Sequence, residues 1–233
     1  MDGSDIVLLL TPKQDTIIVL QFGRGDTQLY GRRFMMDRER VKRLYLVHCF
    51  QTQLPWHRKL VTEFSSLGAE AVVLGMPTPR EPVLTAWLAE MSKHVTPPWH
   101  EVGLLGHSIG AAAVLYFIRE YVQSASLAGT VLVAAGSKFK LPQFESQLKT
   151  FEFEPQSMAG MRTGNVLMIN GEDDSYAYDR DPHIIAGNLS AKLIVIPGTG
   201  HFGIPDGPHE RRDLPRAAKE PIMNHFGYFP TWS

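Results

Sequence analysis

A single cysteine, Cys49, stands in 233 residues. A lone thiol closes no internal disulfide and builds no multi-cysteine zinc site, so the fold must rest on a hydrophobic core and suits a reducing compartment. Charge of one sign is also lacking. The 23 lysines and arginines nearly cancel 24 acids, leaving a net charge of -1, and the basic residues are scattered, which excludes the electrostatic footprint of a nucleic-acid binder. No apolar run approaches the roughly 20 residues of a membrane span, and the opening Met-Asp-Gly-Ser-Asp is acidic where a leader peptide is basic. The expectation is a cytoplasmic protein that contacts neither nucleic acid nor membrane.

With 44% hydrophobic and 20% charged residues, the chain carries enough apolar material to bury a full core as one domain over 1–233. Ile6–Leu10 and Thr16–Phe22, separated by Thr-Pro-Lys-Gln-Asp, read as an antiparallel hairpin at a sheet edge, an extension over 1–40. Unpaired edges invite pairing, so this hairpin is the expected surface for a second copy or a protein partner. A charged stretch follows from Arg32 to Arg43. Strand and helix then alternate: Leu44–Val47, a helix near Pro55–Leu67, Ala71–Leu74, a helix near Val83–His94, Val102–Leu105, an Ala-rich helix, and Thr130–Ala134. Residues 136–163 break this rhythm with Phe139, Phe144, Phe151, Phe153 and Met158 among polar residues, as a lid-like insertion or pocket wall does. The alternation resumes with Val166–Ile169, a helix around Pro182–Leu189, Lys192–Ile196 and a last helix near Arg211–His225. This spacing predicts an α/β fold with a mostly parallel, doubly wound sheet.

Val102 to Gly110 reads Val-Gly-Leu-Leu-Gly-His-Ser-Ile-Gly, an apolar run closing on G-x-S-x-G with Ser108 at its centre. That is the sequence form of a nucleophile elbow, in which a strand turns sharply into a helix and exposes a serine hydroxyl at the positive end of the helix dipole. Gly106 and Gly110 leave room for the turn and the crossing helix, where a Cβ would collide.

A serine nucleophile needs a base to take its proton and an acid to orient the base, and α/β-hydrolases carry them in the order Ser, Asp or Glu, His. The strand Val166–Ile169 runs into Asn-Gly-Glu-Asp-Asp, and Lys192–Ile196 into Pro-Gly-Thr-Gly-His-Phe, so both partners leave the edge where open α/β sheets place their sites. His201 is the expected base. Asp173 and Asp174 compete for the acid, and only one of two successive loop residues is expected to meet His201. Such a base works as the neutral imidazole, which puts the acidic limb of a pH profile at about 6 to 7. The oxyanion needs two backbone N–H donors: Ile109, after the nucleophile, and one from His48-Cys49-Phe50-Gln51, where Phe50 is preferred and Cys49 is the fallback. Cys49 itself reads as a small buried hydrophobe rather than a second nucleophile.

Other patterns carry less. Arg24-Gly25-Asp26 reads as a plain turn. Asp173, Asp174, Asp179 and Asp181 lack the glycine and terminal glutamate of a calcium loop, and His201, Asp206, His209 and Glu210 are too irregular for a metal set. No metal or cofactor is expected. Trp56, Trp87 and Trp99 read as core.

The chain resembles the small serine hydrolases like retinoblastoma-binding protein 9, within the α/β-hydrolase superfamily. The likeness runs from about Leu44 to Phe202: Leu-Gly-Met-Pro-Thr-Pro at 74–79 with Trp87 behind it, the Gly-His-Ser elbow, the paired acids Asp173-Asp174 and the terminal Gly200-His201-Phe202. It implies the α/β-hydrolase fold and a compact esterase or amidase for small acyl substrates. The Asp174 to His201 interval matches the family's, making Ser108, Asp174 and His201 the implied triad. Two departures stand out. His48–Gln53 replaces a glycine-rich loop with bulkier residues, and the first forty residues have no counterpart in the compact members. With the Pro/aromatic tail Phe226–Trp232, they motivate a second reading, a hydrolase-like scaffold or interaction subunit that has kept the fold while its activity faded.

Overall fold

The computed structural model describes the backbone of residues 5–11, 16–22 and 32–35, together with residues 40–50, 53–123, 125–161, 163–176, 181–203 and 213–229. The chain divides into two compact units, Met1–Glu39 and Arg40–Ser233. In the first, β1 (Asp5–Thr11), β2 (Thr16–Phe22) and β3 (Arg32–Met35) pair antiparallel in that order, with Leu8 opposite Val19 and Ile17 opposite Phe34. The first two strands pair as an antiparallel hairpin, and Arg32–Met35, inside the stretch read only as charged, adds a third strand. The three strands make a sheet of their own, and β3 joins it through backbone pairing that its two arginines do not advertise.

The second unit is built on six strands: β4 (Arg43–Val47), β5 (Glu70–Val73), β6 (Val102–His107), β7 (Gly129–Val133), β8 (Val166–Gly171) and β9 (Lys192–Ile196). Every pairing is parallel and the order is β5-β4-β6-β7-β8-β9. The chain leaves β4 for β5 on one side and β6 for β7 on the other, so the winding reverses between β4 and β6. At such a switch point two strand ends diverge and open a crevice beyond their carboxyl edge.

Both faces of the sheet are covered, which is why its inner strands are apolar runs and not alternating ones. Along β4, Tyr45 and Val47 enter one core while Leu44 and Leu46 enter the other, the two-residue period of a pleated strand. The first core takes Trp87 and Met91 of α2 (Leu84–His94), nearly all of α3 (Ile109–Phe117), and Ile185, Ala186 and Leu189 of α5 (Asp181–Leu189). The second takes Trp56, Leu60, Val61 and Phe64 of α1 (Pro55–Ser66) with Ala218, Ile222 and Met223 of α6 (Arg216–His225). Trp56 and Trp87 are fully buried. At about 1.5–3 kcal/mol for each large apolar side chain removed from water, these two layers are the main force holding the site's scaffold.

Residues 136–161 fold largely as short helical turns, of which α4 (Glu145–Leu148) is the one α-helix among the described residues. Their Leu148, Phe151, Phe153 and Met158 are buried in the first core, packed beside Trp87 and Tyr116. No helix of the described residues is long and apolar enough to cross a membrane.

Candidate active site

Strand β6 ends at His107, and Ser108 follows with φ 57° and ψ -122°. A residue with a Cβ pays of order 1–3 kcal/mol for such a conformation and keeps it only where its surroundings enforce it. Here the Ser108 N–H donates to Val133 O of β7 at 2.9 Å, and the Ala111 N–H donates to Ser108 O at 2.9 Å. The glycines leave the space this needs. A Cβ on Gly106 would lie 2.5 Å from Ala111 Cα, and one on Gly110 would lie 2.3 Å from Val47 O and 2.5 Å from His48 O. The second approach also sets the loop after β4 against the first turn of α3.

The loops leaving β8 and β9 are bonded to each other. Asp173 Oδ1 accepts the Thr199 and Gly200 N–H groups at 3.0 and 2.9 Å, and the Thr199 hydroxyl donates to Ile196 O at 2.9 Å. Asp173 thus braces the turn that carries His201, while Asp174 meets the ring: both its carboxylate oxygens lie 2.8 Å from His201 Nδ1. An ionised carboxylate only accepts, so the proton of the neutral ring sits on Nδ1 and the Nε2 lone pair is free to accept. Ser108 Oγ lies 2.8 Å from that Nε2. Asp174 Oδ1 also accepts the Tyr176 N–H at 3.0 Å, and the Tyr176 ring lies 5.0 Å from that of His201. The Lys140 N–H donates to Tyr176 O at 2.8 Å, fastening the 136–163 segment to the acid loop.

The two amides expected to receive the oxyanion are those of Ile109 and Phe50. Ile109 is the first residue of α3, and the first N–H groups of a helix have no partner within it. The Phe50 N–H likewise has no acceptor among the described residues. The Phe50 ring packs on Phe144 at 4.8 Å between centroids, which joins the loop after β4 to the segment that carries Phe144.

A model of the family described as serine hydrolase matches residues 44–214, from the first strand of the main sheet to just before α6. The chain belongs to the serine hydrolase family. YdeN of Bacillus subtilis is 25% identical to this serine hydrolase over 171 residues, covering 70% of the chain and 86% of YdeN. The crystal structure of the ydeN gene product from B. subtilis superposes with a TM-score of 0.67 at 23% identity, covering 79% of this chain and 98% of that one. The 2-hydroxy-6-oxo-6-phenylhexa-2,4-dienoate hydrolase of Rhodococcus sp. strain RHA1 superposes at 0.56 with 12% identity, covering 96% of this chain and 99% of that one. The fold is that of the α/β-hydrolases.

The structure of this serine hydrolase therefore gathers Ser108, Asp174 and His201 into one hydrogen-bonded row and assigns Asp173 a bracing place beside it. Cys49 lies fully buried, and that burial pushes its thiol up to about 12. Cys49, His57 and His107 are the group among the described residues whose donor atoms, within 4.8 Å of one another, come close enough to hold a metal. All four ring nitrogens of the two histidines are already hydrogen-bonded within the chain, so the cluster as folded offers a cation little. Sequence reasoning gave His57 and His107 no role and read Trp56 only as core, where it lies. Only the place of His107 beside the nucleophile hinted at a role, since the contacts that tie the three to His201 and Phe202 are distant in sequence.

Proposed function

We propose that this serine hydrolase cleaves small esters or amides through a Ser108-His201-Asp174 triad and an acyl-enzyme. The observation that carries the reading is His201 held between the two partners it would need, Ser108 Oγ at 2.8 Å from Nε2 and Asp174 at 2.8 Å from Nδ1, with the serine on a strained elbow. His201 Nε2 takes the hydroxyl proton as Ser108 Oγ attacks the carbonyl carbon, and Asp174 stabilises the imidazolium that forms. The Ile109 and Phe50 amides receive the oxyanion. As the tetrahedral intermediate collapses, His201 returns the proton to the leaving alcohol or amine. A water, deprotonated by the same nitrogen, then attacks the acyl-enzyme, and collapse breaks the acyl bond to Ser108 Oγ, which takes the proton back from His201 as the acid leaves. The bonded row supports this over a scaffold that has kept only the fold, because a scaffold has no need of a strained serine aimed at an oriented imidazole.

A fluorophosphonate probe tests the reading. Wild type is expected to be labelled and Ser108→Ala to remain unlabelled, with turnover of p-nitrophenyl acetate lower by at least about 10³-fold in the variant. Equal labelling of both proteins, or a folded wild type that stays unlabelled, refutes it.

A further inference from the structure

A second row of hydrogen bonds, with a fixed direction, ends on the backbone of His201. It begins at a backbone amide, which can only donate: the Leu54 N–H gives to His57 Nδ1 at 2.9 Å. A neutral ring that accepts on Nδ1 holds its proton on Nε2, so His57 donates in turn to His107 Nδ1, 3.1 Å away. By the same logic His107 holds its proton on Nε2, which donates to the backbone carbonyl of His201 at 3.1 Å. The next carbonyl is held as well, because the Trp56 indole N–H donates to Phe202 O at 2.7 Å.

Four features separate this row from ordinary core filling. The His57 and His107 rings are fully buried, where an unmatched polar atom costs about 1–3 kcal/mol, and every ring nitrogen is matched. Burial also holds both rings far below the usual imidazole range, His107 at about 3, so they stay neutral while His201 cycles its proton. The peptide they hold needs holding, since Phe202 has φ 57°. And Trp56 seals the row, its ring centroid 4.1 Å from that of His57 and 5.1 Å from that of His107.

We propose that His57 and His107 are positioning residues, a directed strut from the first turn of α1 that fixes the His201 peptide and so aims its Nε2 at Ser108. The proposal rests on the reading of Ser108 and His201 as the reacting pair. The strut supplies no proton to the reaction. Its work is geometric, because the 2.8 Å contact with Ser108 Oγ depends on a ring whose backbone is tied at two successive carbonyls, and a misplacement of about 1 Å costs on the order of 10²-fold in rate.

The test separates the rate of fluorophosphonate labelling from its final extent, both read by intact mass. His107→Leu removes the donor to the His201 carbonyl, His107→Gln keeps an N–H there, and His57→Gln and Trp56→Phe break the supports further back. Wild-type labelling that depends on Ser108 establishes the reacting pair; its absence sinks that reading and the strut together. Given that labelling, His107→Leu is expected to react about 10–100-fold more slowly while labelling to the same extent. For p-nitrophenyl acetate its kcat per labelled site should fall with KM nearly unchanged, and the acidic limb of the profile should move, since Asp174, Tyr176 and Ser108 then face a shifted ring. His107→Gln should recover most of the rate. A purely structural role predicts fewer labelled sites that react at the wild-type rate with an unmoved pH profile, and that result overturns the proposal. If His107→Leu does not fold, His57→Gln and Trp56→Phe decide: slower labelling at full extent supports the strut, wild-type rates in both refute it.

Discussion

Acidification from about pH 7.5 to about pH 5 is expected to weaken the fold well before the carboxylates titrate near 4, and His107 sets the scale. Burial, with a smaller push from His201, holds it at about 3 against an ordinary value of 6.5. Above about 6.5 the ring is neutral in both folded and unfolded chains and pH has no purchase on it. Between about 6.5 and 3 the unfolded chain binds a proton that the folded chain refuses, so stability falls by about 1.4 kcal/mol for each unit the pH drops. At pH 5, about 1.5 units into that window, His107 alone removes about 2 kcal/mol from a domain stability that is typically about 5–15 kcal/mol. His57 is depressed by burial and by its neighbours His107 and His48, and adds to the loss with the same sign. Urea unfolding of wild type and His107→Gln at about pH 7.5, 6 and 5 measures it, with the variant expected to lose stability less steeply. A wild-type curve flat over that range, or an identical slope in the variant, refutes the assignment of a buried neutral histidine.

Gly110→Ala should cost about 3 kcal/mol or more and abolish labelling, because the new Cβ would sit 2.3 Å from Val47 O; chemical unfolding that finds wild-type stability contradicts so tight a crossing. Asp174→Asn should reduce kcat by about 10³–10⁴-fold, whereas Asp173→Asn, which loosens only the turn held at Thr199 and Gly200, should cost less than about tenfold. The reverse ranking in steady-state assays exchanges the two roles. Native Cys49, buried with its thiol at about 12, should resist iodoacetamide near pH 8 and react once unfolded, as mass spectrometry will show.

Much of this was legible in one dimension because the signals are local. Val102–Leu105 is a continuous apolar run because β6 is covered on both faces, and the glycines of the elbow stand four residues apart because one turn and one crossing need them there. Strand and helix alternated at the spacing of a doubly wound sheet, and the order Ser108, Asp174, His201 followed the strand ends. Residues 136–163 showed a break in rhythm but not their burial against Trp87, since scattered aromatics have no period from which to read a partner.

Spacing within a few residues carries the fold class, the elbow and the short list of groups able to do acyl chemistry. The tertiary structure alone decided which neighbour does what. Asp173 and Asp174 are chemically identical and adjacent, and only the fold of the loop after β9 sends one to the Thr199 and Gly200 amides and the other to the imidazole. His57 and His107 are 50 residues apart and His107 and His201 are 94 apart, so their contacts exist only once β4, β6 and β9 have joined one sheet. Hydrogen bonds are short and directional, and no pattern along a chain records which distant atoms will come within about 3.2 Å.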